Sequence, residues 1–387
     1  MQSLALHQFH ERLGARFAEA GGAEVVNDYG DWRAEYTALR ETAGVLDLSF
    51  RSRICLAGAD RVRFLHGQVT NDVKLLRIGD GCHAALVTAK GKMESDLNIF
   101  CLADELLLDF EPGLAGKVLE RLEKFIVADD VRIMDVAPHY GLLSVQGPRA
   151  GEVVNSLGLF AEIPLKLFGS VKISDATVGE IYLMNCARLS HASERRAPAR
   201  PVSAEQRAEP VLGAPGFDLF VPNQSLAAVA DKLVAVVGQV GGRPVGWQAF
   251  ETARIEAGIP RFGADMDETN LPLECGIEER AVSYHKGCYI GQEVINRVHS
   301  FGHVTKELRG LRLAGDLKSL PQRGDKLFHN GKEIGYITSA VKSPALNATI
   351  ALGYVRREAN QIGTELILRT AAGESPAKIV DLPFVEL

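Results

Sequence analysis

From about Lys306 onward the chain breaks into short β-rich runs separated by turn residues, and this tail restricts the fold more than any other feature. Within it, Phe328-His-Asn-Gly-Lys-Glu-Ile places Asn330-Gly331 between two strand-like runs. That dipeptide suits a two-residue hairpin turn because both residues tolerate positive φ. Residues 306–387 are therefore expected to form a small β-barrel domain. A chain of 387 residues, 46% of them apolar, is too long for one ordinary core, so the barrel is expected to follow a larger region spanning 1–305. No repeat of solenoid period is visible in the chain.

The larger region mixes helical and strand periodicities. Leu6, Phe9, Leu13 and Phe17 fall at helical spacing, with Gly21-Gly22 as the expected stop. Arg53 to Leu56, His83 to Thr88 and Glu94 to Leu102 read as strands, with Lys90-Gly91 as a turn and Asp60 as a cap for a short helix. A helix is expected from about Leu114 to Val127, and another starting at Pro148. Lys172 to Met184 and Phe217 to Val221 read as strands, and Gln224 to Val237 and Phe250 to Ala257 as helices. Ser190 to Pro215 holds few large apolar groups and reads as a long mobile surface loop.

Charge and cysteine usage remove several function classes. The formal net charge is −6 and no basic stripe is visible, which argues against direct nucleic-acid binding. The six cysteines form no C-x-x-C pair, so neither a zinc site nor a fixed iron–sulfur cluster is signalled and no metal is expected. Several lie in apolar runs, as Cys55 and Cys101 do, and read as buried thiols of a reducing compartment. No secretory signal and no apolar run long enough to span a bilayer is visible, so a cytoplasmic location is expected. No P-loop, nucleophile elbow or H-E-x-x-H occurs, and the glycines of 238–246 lack dinucleotide-binding spacing.

Three places remain as candidate chemistry. Strand alternation puts Glu94, Asp96 and Asn98 on one face, either a solvated polar row or a ligand-orienting carboxylate. Asp218 shares a strand face with Phe220, either an exposed acid or a carboxylate beside an aromatic wall. Cys288 sits in His285-Lys-Gly-Cys-Tyr-Ile-Gly-Gln-Glu. Flanking glycines permit a close approach, and neighbouring cations would favour its thiolate; the alternative is a packed turn with an inert thiol.

The segment Lys286, Gly287, Cys288, Tyr289, Ile290, Gly291, Gln292 and Glu293 resembles the motif of YgfZ-type folate-binding proteins, relatives of the glycine-cleavage T-protein (aminomethyltransferase) that support iron–sulfur enzymes. Phe64 to Asp72 and Thr88 to Leu97 resemble two further motifs of that superfamily, the second carrying its essential aspartate on Asp96. Gly216-Phe-Asp-Leu-Phe resembles the segment whose acid meets the pterin, giving that role to Asp218, although the T-protein usually has Glu there. Arg254-Ile-Glu-Ala-Gly resembles its Arg-x-Glu-Ala-Gly motif, in which Arg254 would stabilise the folate-site wall or meet the anionic folate tail. The resemblance implies an α+β fold, with two interleaved subdomains forming a disc around a central folate cavity and a barrel at the C-terminus.

By resemblance, the cofactor is tetrahydrofolate or a one-carbon derivative, with Asp96, Asp218 and Arg254 as binding residues and Asp96 and Cys288 as catalytic ones. The leading functional expectation is assembly or repair of iron–sulfur clusters in client enzymes, including tRNA-modifying ones. The alternatives are an aminomethyltransferase or other tetrahydrofolate-dependent one-carbon transferase or demethylase, and a folate sensor without chemistry.

Overall fold

The computed structural model describes residues 3–190, 215–314 and 317–386. Apart from its two ends, the loop expected at 190–215 lies outside the described residues.

The first helix is shorter than its apolar spacing predicts. Helix α1 (His7–Arg12) stops before Gly14, whose φ of +79° suits glycine, and Phe17 lies in strand β1 (Arg16–Ala20). Gly21 and Gly22 turn β1 into β2 (Ala23–Asp28) with φ of +61° and +82°, so they make a hairpin rather than a helix stop. Helix α2 (Trp32–Glu41) follows, and then β3 (Gly44–Asp47), which belongs to a six-stranded sheet.

The chain then leaves that sheet to build another. Strand β4 (Ser52–Ala57), helix α3 (Arg61–Gln68), β5 (Gly81–Val87), β6 (Met93–Cys101), β7 (Glu105–Phe110), helix α4 (Ala115–Glu123) and β8 (Arg132–Asp135) supply a five-stranded antiparallel sheet and its cover. Asp60 precedes α3, yet its side chain accepts from the Asp130 backbone N–H at 2.9 Å instead of capping the helix. Strand β9 (Tyr140–Gln146) returns to the first sheet beside β3. Helix α5 (Ala150–Ser156) begins two residues beyond Pro148.

The stretch expected as one strand at 172–184 is a hairpin, β10 (Ser170–Asp175) and β11 (Gly179–Asn185). The Asp175 carboxylate accepts from Thr177 and Val178 N–H and bends the chain back. Strand β12 (Gly216–Pro222), helix α6 (Asn223–Gln239) and β13 (Arg243–Pro244) complete the six-stranded sheet, ordered β10-β11-β12-β9-β3-β13. Its strands come from both sides of the chain segment that forms the five-stranded sheet, so the two units are interleaved.

Alternation along the strands explains the layering. Leu143, Val145, Leu219 and Val221 face outward onto α5 and α6, and Ile54, Leu97, Ile99 and Leu108 face outward onto α3 and α4. The opposite faces meet each other: Leu46, Leu142 and Phe220 of one sheet pack with Cys55, Phe100 and Leu107 of the other. Helix α7 (Trp247–Glu256) closes one side of this central layer through Ala249, Phe250 and Ala253.

Helices α8 (Glu278–Ala281) and α9 (Gln292–Phe301) lead to the closed barrel. It is built from β14 (Lys306–Leu313), β15 (Lys326–His329), β16 (Lys332–Ser343), β17 (Ala348–Arg356), β18 (Glu365–Thr370) and β19 (Gly373–Val380), in the order β14-β17-β16-β15-β18-β19. Asn330 and Gly331 turn β15 into β16 with positive φ at both residues, as the dipeptide predicts. The barrel docks on α7 through Glu256, which accepts from Ser343 Oγ of β16 and, at 2.6 Å, from Tyr36 Oη of α2.

Candidate functional site

The inter-sheet layer is apolar at one end and ionic at the other. On β6 the inward residues run Asp96, Asn98, Phe100, and on β7 they run Asp109, Leu107; the polar ends of both strands lie on the same side. A cavity opens there, of about 900 Å³ counting its mouth. Phe168, Trp247 and Phe250 supply aromatic wall, while His83, Asp96 and Asn98 come from β5 and β6. Such a mixture of flat apolar surface and few convergent polar groups suits a planar polar ligand.

Asp96 is the carboxylate this cavity presents beside a histidine. Its Oδ2 lies 3.0 Å from His83 Nε2, a diagonal cross-strand pair, since His83 is registered opposite Asn98 and Asp96 opposite Ala85. Burial acts to raise the Asp96 pKa, but the His83 bond and the nearby Arg51 and Arg280 charges outweigh it and hold the carboxyl below its ordinary range. Burial dominates at His83 and pushes its pKa down, against the pull of Asp96. At neutral pH the pair is therefore a carboxylate receiving an N–H from a neutral imidazole. His83 Nδ1 has no hydrogen-bond partner.

A ribbon of alternating charge forms the rest of the wall. Arg188 binds both Asp218 and Asp109; Arg51 binds Asp109 and Glu111; Arg261 binds Glu111 and Glu251; Arg254 binds Glu251 and Asp265. Thr338 of β16 donates to Asp265 at 2.6 Å, so the ribbon runs from the six-stranded sheet into the barrel. Within the ribbon each charge touches one of opposite sign, the condition under which ions are tolerated away from water.

Two residues expected at the site belong to this ribbon. Asp218 is fully buried, both its oxygens accept from Arg188, and it does not line the cavity. Arg188, which does line the cavity, occupies the carboxylate in place of the direct pterin contact expected of it. Arg254 lines the cavity, but its donors go to Glu251, Asp265, the Ile259 carbonyl and Ser339. Of the two roles its motif implies, this geometry matches wall support rather than a grip on an anionic tail.

The segment 286–293 acts largely as a strut. Lys286 is buried, and its ammonium donates to the carbonyls of His66, Val69 and Asn71 at 2.6, 2.7 and 2.8 Å. These carbonyls sit at the end of α3 and just beyond, where the helix leaves acceptors unsatisfied. Burial lowers the Lys286 pKa to about 8 despite the attraction of Asp72. One of the cations suggested as thiolate partners for Cys288 is thus engaged elsewhere. Gly291 has a φ of +87°, and a Cβ there would lie 2.6 Å from the Thr88 carbonyl oxygen. Tyr289 is buried, Gln292 and Glu293 open α9, and Gly287 would meet only His66 at 3.8 Å. Cys288 is an exposed free thiol and does not line the cavity.

The earlier motif, 64–72, meets this one and aims the cavity residues. Thr70 Oγ1 donates to the Ala281 carbonyl at 2.6 Å and accepts from Ala85 N–H at 2.9 Å. Asn71 Nδ2 donates to the carbonyls of His83 at 2.8 Å and Arg280 at 3.0 Å. Sequence reasoning did not single out His83, Arg188 or Arg280. His83 had a signal, as the one polar side chain with a ring in the otherwise small or apolar run Gly81–Val87. Asp109, within Leu-Leu-Leu-Asp-Phe, had the same one.

A family model for the GCVT N-terminal domain matches residues 6–195 and 212–286, and one for the glycine cleavage T-protein C-terminal barrel domain matches 306–386. The chain belongs to the glycine cleavage T-protein family. Tetrahydrofolate is the one-carbon carrier of this family. An aminomethyltransferase of Halalkalibacterium halodurans is 26% identical, the match covering 99% of this chain and 98% of that protein. Another, of Rubrobacter xylanophilus, is 28% identical over 98% of this chain and 93% of its own length. The crystal structure of glycine cleavage system aminomethyltransferase T from Bartonella henselae superposes with a TM-score of 0.83, covering 99% of this chain and 98% of that one at 24% identity, and so shares the fold.

These relatives correct the leading functional expectation. Full-length relatives bearing the name aminomethyltransferase replace the iron–sulfur role, and with it the expected client and tRNA-modifying enzymes. Among the described residues no group of His, Cys, Asp or Glu is placed to hold a metal ion, and no helix is long and apolar enough to cross a membrane.

Proposed function

We propose that this protein is a tetrahydrofolate-dependent one-carbon transferase, in its most specific form an aminomethyltransferase, with Asp96 as the catalytic carboxylate. The observation that carries the reading is the ionised Asp96–neutral His83 pair in a cavity walled by Phe168, Trp247 and Phe250. A reduced pterin fits this chemistry: its flat ring matches the aromatic wall, and an N–H on its polar edge matches the unpartnered His83 Nδ1.

Bound tetrahydrofolate supplies the nitrogens that accept the one-carbon unit. The protein's contribution is to hold and polarise them. Asp96 Oδ2 receives the His83 N–H, which fixes the carboxylate and leaves Oδ1 to accept from a protonated or N–H-bearing nitrogen of the reacting pair. His83 acts through Asp96 as a positioning residue. Asn71 holds the His83 backbone, and the ionic ribbon keeps the wall rigid around the ligand.

In this reading Asp218 binds the folate indirectly, by orienting Arg188, and Cys288 takes part in no step inside the cavity. The Cys288-Tyr289 pair aligns the motif with the YgfZ-type branch, kept here as a subfamily placement only. The reading divides the chain into a folate-binding region, 1–305, and a barrel domain, 306–387. It also assigns the protein to the cytoplasm, in keeping with six free thiols.

The test is turnover: purified protein with tetrahydrofolate and an aminomethylated lipoyl carrier, followed by the formation of 5,10-methylenetetrahydrofolate. Product from wild type and its loss in Asp96→Asn support the assignment. Turnover unchanged in Asp96→Asn would remove Asp96 from the chemistry.

A further inference from the structure

Five arginines line the cavity: Arg51, Arg188, Arg254, Arg261 and Arg280. The first four each touch two carboxylates in the ribbon. Arg280 differs. Among the described residues no hydrogen bond or ion pair reaches its guanidinium, and its Nε is buried without a partner. Its backbone is fixed, since the Arg280 carbonyl accepts from Asn71 and the next carbonyl, of Ala281, accepts from Thr70. A second buried polar atom in the same cavity wall, His83 Nδ1, is also without a partner.

The Nε of this half-buried guanidinium is shut off from water and left unpaired, which is costly. Asp96 is near enough for its charge to act on Arg280, yet no nitrogen–oxygen contact joins the two. Burial is the larger influence on this arginine, and Asp96 compensates it only in part. A protein serving structure alone would close that gap with an acid, as it does four times along the same wall. An open guanidinium in an aromatic-walled cavity has the geometry for a planar anion, which it grips through two parallel N–H donors.

We propose that Arg280 is a recognition residue for a carboxylate of a ligand occupying the Asp96 cavity. The inference deepens the one-carbon transferase reading and rests on it for the identity of the cavity. The carboxylate has two possible sources, the glutamate tail of the folate and a small amino-acid co-substrate whose amine is directed to Asp96. Both present the same group to the same guanidinium.

The test titrates full-length wild type, Arg280→Gln and Arg280→Lys with four probes: tetrahydrofolate, a tailless tetrahydropterin, p-aminobenzoylglutamate and N-methylglycine. Arg280→Gln should weaken at least one carboxylate-bearing probe by roughly tenfold or more, the worth of a charge-assisted hydrogen bond. It should leave the tailless pterin unchanged, and Arg280→Lys should recover part of the loss. A loss shared by tetrahydrofolate and p-aminobenzoylglutamate assigns the tail, whereas a loss confined to N-methylglycine assigns the co-substrate. The melting temperature of Arg280→Gln should not fall, because no partner is stranded.

Wild-type affinity of Arg280→Gln for every carboxylate probe overturns the proposal, as does a drop of several degrees in melting temperature, which would make the guanidinium structural. If the tailless pterin binds wild type while Arg280→Gln changes nothing, the transferase reading stands and this inference fails. If neither pterin binds but a carboxylate probe does so through Arg280, the reverse holds.

Discussion

Asp96 shows how little of a residue's role is written in its own neighbourhood. Alternation placed it on the face of Glu94 and Asn98, but those three separate in the fold: Glu94 pairs with Arg121 at 2.8 Å, while Asp96 and Asn98 line the cavity. Only the β5–β6 register brings His83 to Asp96, and no local pattern reports a register. The pair makes two predictions. Replacing Asp96 with Asn keeps a hydrogen bond to His83 but removes the charge, so tetrahydrofolate affinity should fall about tenfold or more in a direct titration. His83, held below its ordinary pKa by burial, binds its proton less readily folded than unfolded. Stability should therefore decline as pH falls below about 6.5, where the unfolded chain takes up the proton first, and Asp96, also lowered, adds a decline in the same direction at more acid pH. Urea unfolding at pH 7.5 and 5.5 checks this: His83→Gln should lose less stability across the interval than wild type.

At the scale of elements, the motif segments are joints more than reagents. Lys286 ties α8–α9 to the end of α3, and Gly291 lets the same segment lie against the β5–β6 turn. The resemblance marked this segment as important, and glycine spacing suggested a bend, but which residue reacts and which supports was not legible from spacing. Lys286 reads as a cation beside Cys288 until 220 positions of chain separation from His66 are closed. Lys286→Met should leave three carbonyls unsatisfied and destabilise the fold by about 1–3 kcal/mol, with faster amide exchange concentrated in 66–72. Gly291→Ala should be destabilising as well, since the added carbon meets backbone rather than a movable side chain. The hairpin at Asn330-Gly331 was fully legible, because its turn chemistry is local. The opposite case is the first helix, where Phe17 continued a helical spacing but the Arg16–Asp28 bond at 2.7 Å and the Gly21-Gly22 turn favour a hairpin.

Over the whole molecule, the ionic ribbon ties the six-stranded sheet, the five-stranded sheet, α7 and the barrel into one framework around the cavity. Its members are scattered from Arg51 to Thr338, which is why sequence reading found Asp218 and Arg254 and assigned them to the ligand rather than to their ion-pair partners. Arg188 is the node most exposed to test, because removing it strands Asp218 in the interior and leaves Asp109 with Arg51 as its one guanidinium. Arg188→Met should cost about 3–5 kcal/mol in equilibrium unfolding. Addition of Asp218→Asn should recover part of that loss, since one stranded charge is then gone. The barrel and the mixed-sheet body were both expected, the first from its turns and the second by resemblance. The cavity's charge layout was not, since it depends on pairings between elements far apart in the chain.

The most direct test of the account is calorimetric titration of wild type, Asp96→Asn and Cys288→Ser with tetrahydrofolate. The account predicts saturable binding by wild type, the same affinity in Cys288→Ser, whose thiol is exposed and outside the cavity lining, and a roughly tenfold or larger loss in Asp96→Asn. Equal binding by wild type and Asp96→Asn, with the loss appearing in Cys288→Ser instead, would contradict it.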